Sequence, residues 1–218
     1  MQIQVLPAHI KDKPLLQRMM ELYQYDFSEF DDADLDPHGC FGYPYLDHYW
    51  VEKGRYPFIV RANGQLAGLV LVADHAYMPG NERSIAEFFI MRKYRRHGIG
   101  RQVAFQIFDR FPGKWEIQQT STNVPAQQFW QRIIDEYTAG QFRATVLDGE
   151  WQGPVQSFDN SHPPALTPSD LENGLRQLSL QSGDAVEVHS SLSSLGHVEG
   201  GAAAVVDALM NVVGPEGA

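Results

Sequence analysis

The sequence predicts a mixed α/β fold, in which a central mixed sheet is flanked by helices and followed by a short, incomplete helix–strand–helix appendage. Two observations predict it. Apolar residues recur with helical and with strand periods in alternation along residues 1–158. An Asn63-Gly64 pair also separates two apolar runs, which is the strongest short-range signal for a β-hairpin.

Each element of the first segment is justified by its apolar pattern and by the turn residues at its ends. We expect strands at 3–6, 58–62, 66–72, 85–91, 115–119 and 141–147, and helices around 15–23, 100–111 and 126–137. A hairpin followed by alternating strands and helices is typical of a mixed sheet.

Residues 159–168 contain three prolines and several turn formers, so they are predicted to be a linker between domains at 1–158 and 169–218. The second segment holds a single basic residue, Arg176, against seven acidic ones. Ser169 is the expected helix cap, with Glu172 completing a capping box. A helix to about 180, a strand at 185–189 and a helix at 202–213 would follow.

Composition excludes several classes of protein. The 218 residues carry a formal net charge of −10, which disfavours a general nucleic-acid binder because phosphate neutralisation needs a basic face. No apolar run approaches the roughly 18 residues of a membrane span, and the N-terminus lacks a signal-peptide core. Cys40 is the only cysteine, so a disulfide or a cysteine-built metal cluster within the chain is excluded. We expect a soluble, cytoplasmic protein without a metal.

The stretch from Glu87 to Arg101 concentrates positive charge beside two glycines. Gly98 and Gly100 let main-chain N–H groups converge without an obstructing Cβ atom, and the following helix adds a partial positive charge at its N-terminus. The pattern predicts a pyrophosphate site, although a simple strand-to-helix turn with solvated arginines is the structural alternative. Five of the 17 basic residues lie within ten positions here: Arg92, Lys93, Arg95, Arg96 and Arg101.

The two most familiar phosphate loops are disfavoured at this stretch. A dinucleotide fingerprint requires a third glycine where Val103 stands. A nucleotide P-loop requires Lys followed by Ser or Thr, whereas Arg101-Gln102 follows Gly100.

Arg95-x-x-Gly98-x-Gly100 instead resembles the R/Q-x-x-G-x-G/A signature of the GCN5-related N-acetyltransferases (GNAT), with Tyr94 in its usual place before it. The resemblance covers roughly residues 1–150. Asn123, Ala126 and Phe129 resemble the family's N-x-x-A-x-x-Φ helix start, where Φ is apolar.

The resemblance implies the GNAT fold and acetyl-CoA as co-substrate. Ile90 and Arg92 would lie on the signature strand, whose main chain pairs with the pantetheine arm and polarises the thioester carbonyl. Asn123 would contact the same arm. The pyrophosphate loop would consist of Arg95, Arg96, His97, Gly98, Ile99 and Gly100.

The catalytic residues implied by the resemblance are an acid and a base. Glu87, at the start of the signature strand, is the candidate base, with an edge carboxylate in solvent as the alternative. The family's usual tyrosine acid falls at Trp130, which cannot donate a proton in this way. Tyr137 is the substitute candidate, although packing at the helix end is its alternative, and water is another donor.

Residues 24–56 would line the acceptor cleft in the family, and here they are acidic and aromatic. Such a cleft suits a cationic amine. A solvated acidic loop beside core aromatics is the alternative. The acidic residues are Asp26, Glu29, Asp31, Asp32, Asp34 and Asp36, and the aromatic ones are Phe27, Phe30, Phe41, Tyr43, Tyr45, Tyr49 and Trp50.

Residues 166–218 carry a second resemblance. The Leu171-x-x-Gly174-Leu175 run, the Val188-His189-Ser190-Ser191-Leu192 loop and Gly200-Gly201-Ala202 are similar to the start of the aminoglycoside 3-N-acetyltransferase family. Those enzymes are longer and their catalytic residues lie beyond this segment, so we interpret it as a truncated fragment. No nucleophile elbow or metal-ligand spacing accompanies His189.

The hypothesis is an acetyl-CoA-dependent N-acetyltransferase that acts on the primary amine of a small molecule by direct attack in a ternary complex. The first alternative is aminoglycoside modification. The second is a non-catalytic acyl-CoA-binding or regulatory module, which Trp130 favours. The oligomeric state is left open, with a homodimer as one option.

Overall fold

A computed structural model describes residues 1–161, 166–188, 195 and 198–217. The chain divides into two compact units, Met1–Ser161 and His162–Ala218, and the division falls inside the predicted 159–168 linker. Asp159 and Asn160 nevertheless belong to the first unit. Asp159 ends its last strand, and the buried Asn160 accepts a hydrogen bond from the Gly113 N–H at 2.8 Å.

The first unit contains a seven-stranded mixed sheet in the order β1-β2-β3-β4-β5-β7-β6. All neighbours are antiparallel except the parallel pair β4 and β5. The predicted mixed sheet with flanking helices is confirmed. Its strands are β1 (Ile3–Pro7), β2 (Arg55–Ala62), β3 (Gln65–Ala73), β4 (Arg83–Ile90), β5 (Lys114–Gln118), β6 (Arg143–Asp148) and β7 (Gln152–Asp159).

The predicted hairpin joins β2 to β3. Asn63 and Gly64 both have positive φ, at 49° and 77°, as the tight turn between twisted strands requires. Ala62 pairs with Gln65 directly across the turn.

Helices α3 (Ile99–Arg110) and α4 (Val124–Thr138) pack on one face of the sheet. The core there is rich in aromatic rings because bulky side chains fill the wide gap between helices and strands. Phe108 lies at its centre, with its ring centroid 5.2 Å from that of Trp115 and 4.9 Å from that of Phe158.

Helices α1 (Lys13–Asp31) and α2 (His48–Val51) cover the opposite face, called here the α1 face. Leu16, Met19 and Met20 supply the apolar stripe of α1, at the 3- and 4-residue spacing of one helical face. The helix ends at Asp31, and its C-cap residue Asp32 has a left-handed φ of 57°.

A β-bulge in β4 decides which side chains reach the α1 face. Val72 pairs with Ile85, but Leu71 pairs with Glu87, so Ala86 is the extra residue. Strict alternation from Ile85 would turn Glu87 into the aromatic core. The bulge turns its side chain to the α1 face, beside Phe89.

β4 and β5 separate soon after they begin. They pair only at Arg83 with Trp115 and at Ser84 with Glu116. Beyond this point no strand among the described residues pairs with the β5-facing edge of β4, which leaves a slot between the two strands at their carboxyl ends.

Three predictions for the first unit differ from the structure. The strand predicted to carry Arg92 ends at Ile90, and Arg92 lies in the 3-10 helix Arg92–Tyr94 that follows. β7 was not predicted, because Gly153 and Pro154 interrupt its pattern and Gln156 and Ser157 are poor strand formers. Its register with β5 and β6 shows that it is nonetheless an interior strand. α2 was not predicted either, being a single turn.

The second unit contains α5 (Pro168–Gln177) and α6 (Gly201–Val213). They pack through Leu171, Ala204 and Ala208, with Val198 beside them. The predicted Ser169 cap is wrong: Thr167 caps α5 and Asp170 completes the capping box, so the helix begins at Pro168.

The strand predicted at 185–189 is not found in residues 185–188, and His189 lies outside the described residues. A strand needs a neighbour to satisfy its main chain, and Leu166 with Val198 forms only an isolated bridge in this unit. Within the described residues, no helix has the length and apolar character needed to cross a membrane.

Candidate functional site

The candidate site lies where β4 and β5 separate, and Glu87 is its central titratable group. Burial raises the pKa of Glu87 to about 7, and hydrogen bonding from the Tyr23 and Tyr43 hydroxyls opposes this by lowering it. A carboxyl group with a pKa near 7 exchanges a proton readily at neutral pH, which is the property a general base needs.

The two tyrosines come from elements distant in sequence. Tyr23 lies on α1, with its ring centroid 5.7 Å from that of Phe89, and Tyr43 lies in the segment before α2. Burial and the charge of Glu87 raise the pKa of both hydroxyls. Both hydroxyls are therefore protonated at neutral pH, when they interact with the Glu87 carboxylate.

Tyr49 completes the aromatic side of this site. Its hydroxyl is buried and makes no hydrogen bond within the described part of the chain. Burial raises its pKa to about 12, and the negative charge of Glu87 acts in the same direction. Arg55 and Tyr43 act oppositely, although neither meets hydrogen-bond geometry with this hydroxyl.

The predicted pyrophosphate loop presents unpaired main-chain donors. Gly98 precedes α3 in the left-handed region at φ 72°, and no side chain caps the helix. Among the described residues, no hydrogen bond is made by the N–H groups of Gly98, Ile99 or Gly100. Arg96 also has a positive φ, 64°, which helps to turn successive N–H groups into one concavity.

The two glycines of the motif, Gly98 and Gly100, have different structural roles. A Cβ atom added to Gly98 would meet nothing within 4 Å, so this position is open to a ligand. A Cβ atom added to Gly100 would lie 3.1 Å from the Phe129 ring. Gly100 is therefore required for the close packing of α3 on α4.

Three of the five clustered cations are paired within the protein. Arg92 binds Asp26 of α1 at 2.8 Å, Arg95 binds the same carboxylate, and Arg101 binds Glu136 of α4 at 2.6 Å. The Arg95 Nε also donates to the Ile90 carbonyl oxygen at 2.7 Å. Much of the positive charge thus holds the loop in place, and Arg96 and His97 stay beside the free N–H groups.

Asn123 is placed at the start of α4, where its side-chain oxygen accepts from the Ala126 N–H at 3.0 Å. The Thr122 hydroxyl next to it donates to the Phe30 carbonyl oxygen at 2.8 Å. The end of α1 therefore contacts both sides of the slot: Asp26 holds the β4 side and Phe30 the β5 side.

Tyr137 is not brought to Glu87. It packs in the aromatic core on the opposite face of the sheet, against Phe108 at 5.0 Å between ring centroids. Its hydroxyl donates to Asp109 at 2.8 Å and accepts from the Asn160 side chain at 3.1 Å. This geometry argues against Tyr137 as the acid. Trp130 is likewise a core residue, 6% exposed.

The sequence reasoning missed Glu116 on β5, a carboxylate with no exposed surface. It accepts hydrogen bonds from the N–H groups of Tyr77 and Met78, at 2.5 and 2.9 Å, and from the Asn81 and Gln118 side chains. It thereby fixes the loop between β3 and β4. A lone Glu inside an apolar strand pattern was the available signal.

No group of three or more potential metal ligands is found among the described residues.

Comparisons with known proteins bear on both units. A family model described as the acetyltransferase (GNAT) family matches residues 16–134, and one described as aminoglycoside 3-N-acetyltransferase matches residues 188–218. Both predicted resemblances are confirmed.

Curated relatives match the second segment. Aminoglycoside N(3)-acetyltransferase III from Salmonella sp. is 51% identical over 51 residues, which cover 23% of this chain and 18% of that protein. An aminoglycoside N(3')-acetyltransferase-like protein from Bacillus subtilis is 51% identical over 51 residues, covering 23% of this chain and 19% of that protein. The matches therefore span less than a fifth of these relatives.

Solved structures match the first unit in fold. An acetyltransferase from Thermus thermophilus aligns with a TM-score of 0.56 at 18% identity, covering 73% of this chain and 97% of the other. The aminoglycoside acetyltransferase AAC(6')-Ib, solved with ribostamycin and coenzyme A, aligns with a TM-score of 0.53 at 12% identity, covering 73% and 94%. At these identities the likeness shows the fold alone.

Proposed function

Because the chain belongs to the acetyltransferase (GNAT) family, we propose that it transfers the acetyl group of acetyl-CoA to a primary amine of a cationic small molecule. The amine would attack directly within a ternary complex. The observation that carries the proposal is Glu87, a carboxyl group beside the slot between β4 and β5, whose pKa burial raises to about 7.

The residues of the loop after β4 fit a pyrophosphate. The free N–H groups of Gly98, Ile99 and Gly100 and the uncapped N-terminus of α3 favour an anion there. The unpaired edge of β4 would bind the pantetheine arm by main-chain hydrogen bonds, with Asn123 at the other side of the slot. The Ile90 carbonyl oxygen already accepts a hydrogen bond from Arg95, so it is less available to the pantetheine arm than the other main-chain groups of this edge.

Acetyl-CoA supplies an acyl group activated as a thioester. Glu87 removes a proton from the acceptor ammonium, and the amine nitrogen then forms a bond to the carbonyl carbon. The carbon–sulfur bond breaks with both electrons going to sulfur. As the carbon–nitrogen bond forms, the nitrogen loses its second proton, which water relays to the thiolate, because the Tyr137 hydroxyl is held by Asp109 on the far face of the sheet.

An aminoglycoside is the second candidate acceptor. The specific observation favouring it is the 51% identity of the C-terminal segment to aminoglycoside N(3)-acetyltransferases. A non-catalytic acyl-CoA-binding module is the remaining alternative, since Trp130 stands where the acid is usual.

Acetyl-CoA turnover, followed by thiol release with a panel of amines, tests the proposal. The panel contains ribostamycin, simple diamines and simple monoamines. We expect release that depends on an amine and on Glu87. Binding of coenzyme A without turnover on any amine would favour the non-catalytic module instead.

The proposal also includes a cytoplasmic location and a homodimeric state. The homodimer can be tested directly. Sedimentation of the purified chain at several concentrations would reveal a mass of about twice 24.6 kDa if the dimer forms. A mass that stays at that of one chain would contradict it.

A further inference from the structure

An aromatic cluster on the α1 face has no role in the proposed chemistry. It consists of His75 and Tyr77 in the β3–β4 loop and Trp151 in the β6–β7 turn, and is called here the aromatic cluster. The ring centroids of His75 and Tyr77 are 5.0 Å apart, and those of Tyr77 and Trp151 are 5.6 Å apart. Three rings from two loops therefore contact one another outside the hydrophobic clusters that the helices and strands of this unit form.

The cluster is built in place by a buried group. Glu116 accepts the main-chain N–H of Tyr77 at 2.5 Å and that of Met78 at 2.9 Å. A carboxylate buried in β5 and satisfied by four donors fixes this loop, since an unmatched donor or acceptor there would be costly. Tyr77 is therefore held in position before any ligand arrives.

The rings of the cluster have an acidic neighbour in sequence, and no arginine or lysine of the described residues stacks on their faces. Glu150 directly precedes Trp151 in the β6–β7 turn. Burial raises the pKa of Tyr77, and the charge of Glu150 contributes to the same shift. Among the described residues, the arginines and lysines that stack on aromatic rings do so elsewhere, on Tyr49, Phe58, Phe89, Tyr94, Phe105, Phe111 and Trp115. Ring faces next to a carboxylate attract an ammonium group.

A line of aromatic residues joins the cluster to the proposed base. Tyr43, whose hydroxyl lowers the pKa of Glu87, lies 5.8 Å from Tyr45 between ring centroids. Tyr45 is 57% exposed and close enough to Tyr77 to raise its pKa. The ring contact of Tyr43 with Tyr45 and the electrostatic influence of Tyr45 on Tyr77 connect the surroundings of Glu87 with the aromatic cluster.

We propose that the aromatic cluster, with Glu150, is a subsite for a second ammonium group of the acceptor, so that the preferred substrates are diamines and other oligoamines. The inference rests on the proposed function. While one amine reacts at Glu87, the other stacks on Tyr77 and Trp151 and is neutralised in part by Glu150. A monoamine of the same length gains nothing from this subsite.

The test compares kcat/KM for 1,4-diaminobutane and for butylamine at pH 7.5. We expect the full chain to prefer the diamine, and Tyr77→Leu and Trp151→Leu to lower that preference roughly 3- to 30-fold. Butylamine turnover should stay unchanged. Trp151→Phe keeps a ring face and should retain most of the preference.

Glu150→Gln should also lower the preference, by a smaller factor, whereas Asp148→Asn in the same hairpin is the matched control and should not. If the diamine has no advantage, or if both Leu variants keep it, the inference is overturned. Binding of coenzyme A by each variant verifies that the variant is folded. If a Leu variant does not fold, Glu150→Gln provides the test in its place.

A second arm separates this inference from the proposed function. The bis-quaternary form of 1,4-diaminobutane cannot be acetylated. Its binding can therefore be measured by calorimetry whether or not the chain acetylates any amine. Binding that is lost in Trp151→Leu supports the cation subsite even if no amine is acetylated, in which case only the proposed function has failed. Absence of binding to the unmodified chain overturns the subsite.

Discussion

The two faces of the sheet in the first unit bury different chemistry. Toward α3 and α4 lies an apolar core around Phe108, Trp115 and Trp130, whose rings contact one another. Toward α1 lie Glu87 and Glu116 with tyrosine hydroxyls among apolar residues. Packing on the first face stabilises the fold, and this stability allows costly buried polar groups on the second.

The largest effect expected on the α1 face is on turnover. Glu87→Gln removes the base and should lower turnover about 10²- to 10⁴-fold. Coenzyme A affinity, measured by calorimetry, should change little because the loop at Gly98 is untouched. A variant with full turnover and an unchanged pH–rate profile would move the base elsewhere.

The same variant tests the burial of Glu87 without any assay of activity. Its pKa is about 7 in the folded chain, against an ordinary 4.5, so the folded state holds the proton more tightly. The free energy of unfolding should therefore fall as pH rises from about 4.5 to about 7. Glu87→Gln should lose this component, as denaturant titrations across the range would show.

On the opposite face the largest effect is on stability. Phe108→Ala removes a fully buried ring at the centre of the aromatic core and should cost about 3–5 kcal/mol of the free energy of unfolding. Chemical denaturation measures it. A cost below about 1 kcal/mol would mean that the two faces do not differ as described.

The cofactor loop connects the faces, and a matched pair of glycines tests it. Gly98 and Gly64 have φ of 72° and 77°, and a Cβ atom at either would meet nothing within 4 Å. Valine should strain both backbones alike. Thermal protection by coenzyme A, about 2.7 kcal/mol at 100 times Kd, should be lost in Gly98→Val and kept in Gly64→Val.

A smaller effect should come from Tyr43→Phe. Its hydroxyl lowers the pKa of Glu87, so its loss should raise that pKa and move the acidic limb of the kcat/KM profile to higher pH. Rates should converge with the wild type at alkaline pH. Tyr49→Phe is the control, because its hydroxyl makes no hydrogen bond in the described chain.

The smallest effect expected is from removing residues 162–218. Every residue assigned here to the base, the loop and the slot lies in Met1–Ser161. A chain ending at Ser161 should keep its coenzyme A affinity. If it aggregates or loses that affinity, the second unit is required for the first to function.

Local signals in the sequence predict most of the helices and strands. Asn63-Gly64 fixes its hairpin through two positive φ angles, and the Gly98–Gly100 spacing marks the loop before α3. β7 is different: its place between β5 and β6 comes from long-range pairing that overrides weak propensity at Gln156 and Ser157. The Thr167 cap was missed because Ser169 offers the same hydroxyl chemistry.

The sequence predicts only part of the candidate site. Glu87 could be proposed from its place in the motif. Its orientation depends on the bulge at Ala86, and its partners Tyr23 and Tyr43 lie 64 and 44 positions away. Tyr137 is the opposite case, a residue that the sequence suggested for the site and that the structure places outside it. Spacing along α4 does not reveal that its hydroxyl donates to Asp109.

Glu116 also sets an order of assembly. Its hydrogen-bond partners at Tyr77, Met78 and Asn81 precede it by 35 to 39 residues. As the chain leaves the ribosome, the β3–β4 loop therefore emerges before the carboxylate that orders it, and contacts this distant in sequence form slowly. The aromatic cluster is completed later still, because Trp151 follows Glu116 by 35 residues, so a nascent chain that lacks the β6–β7 turn has no finished subsite for a polyamine.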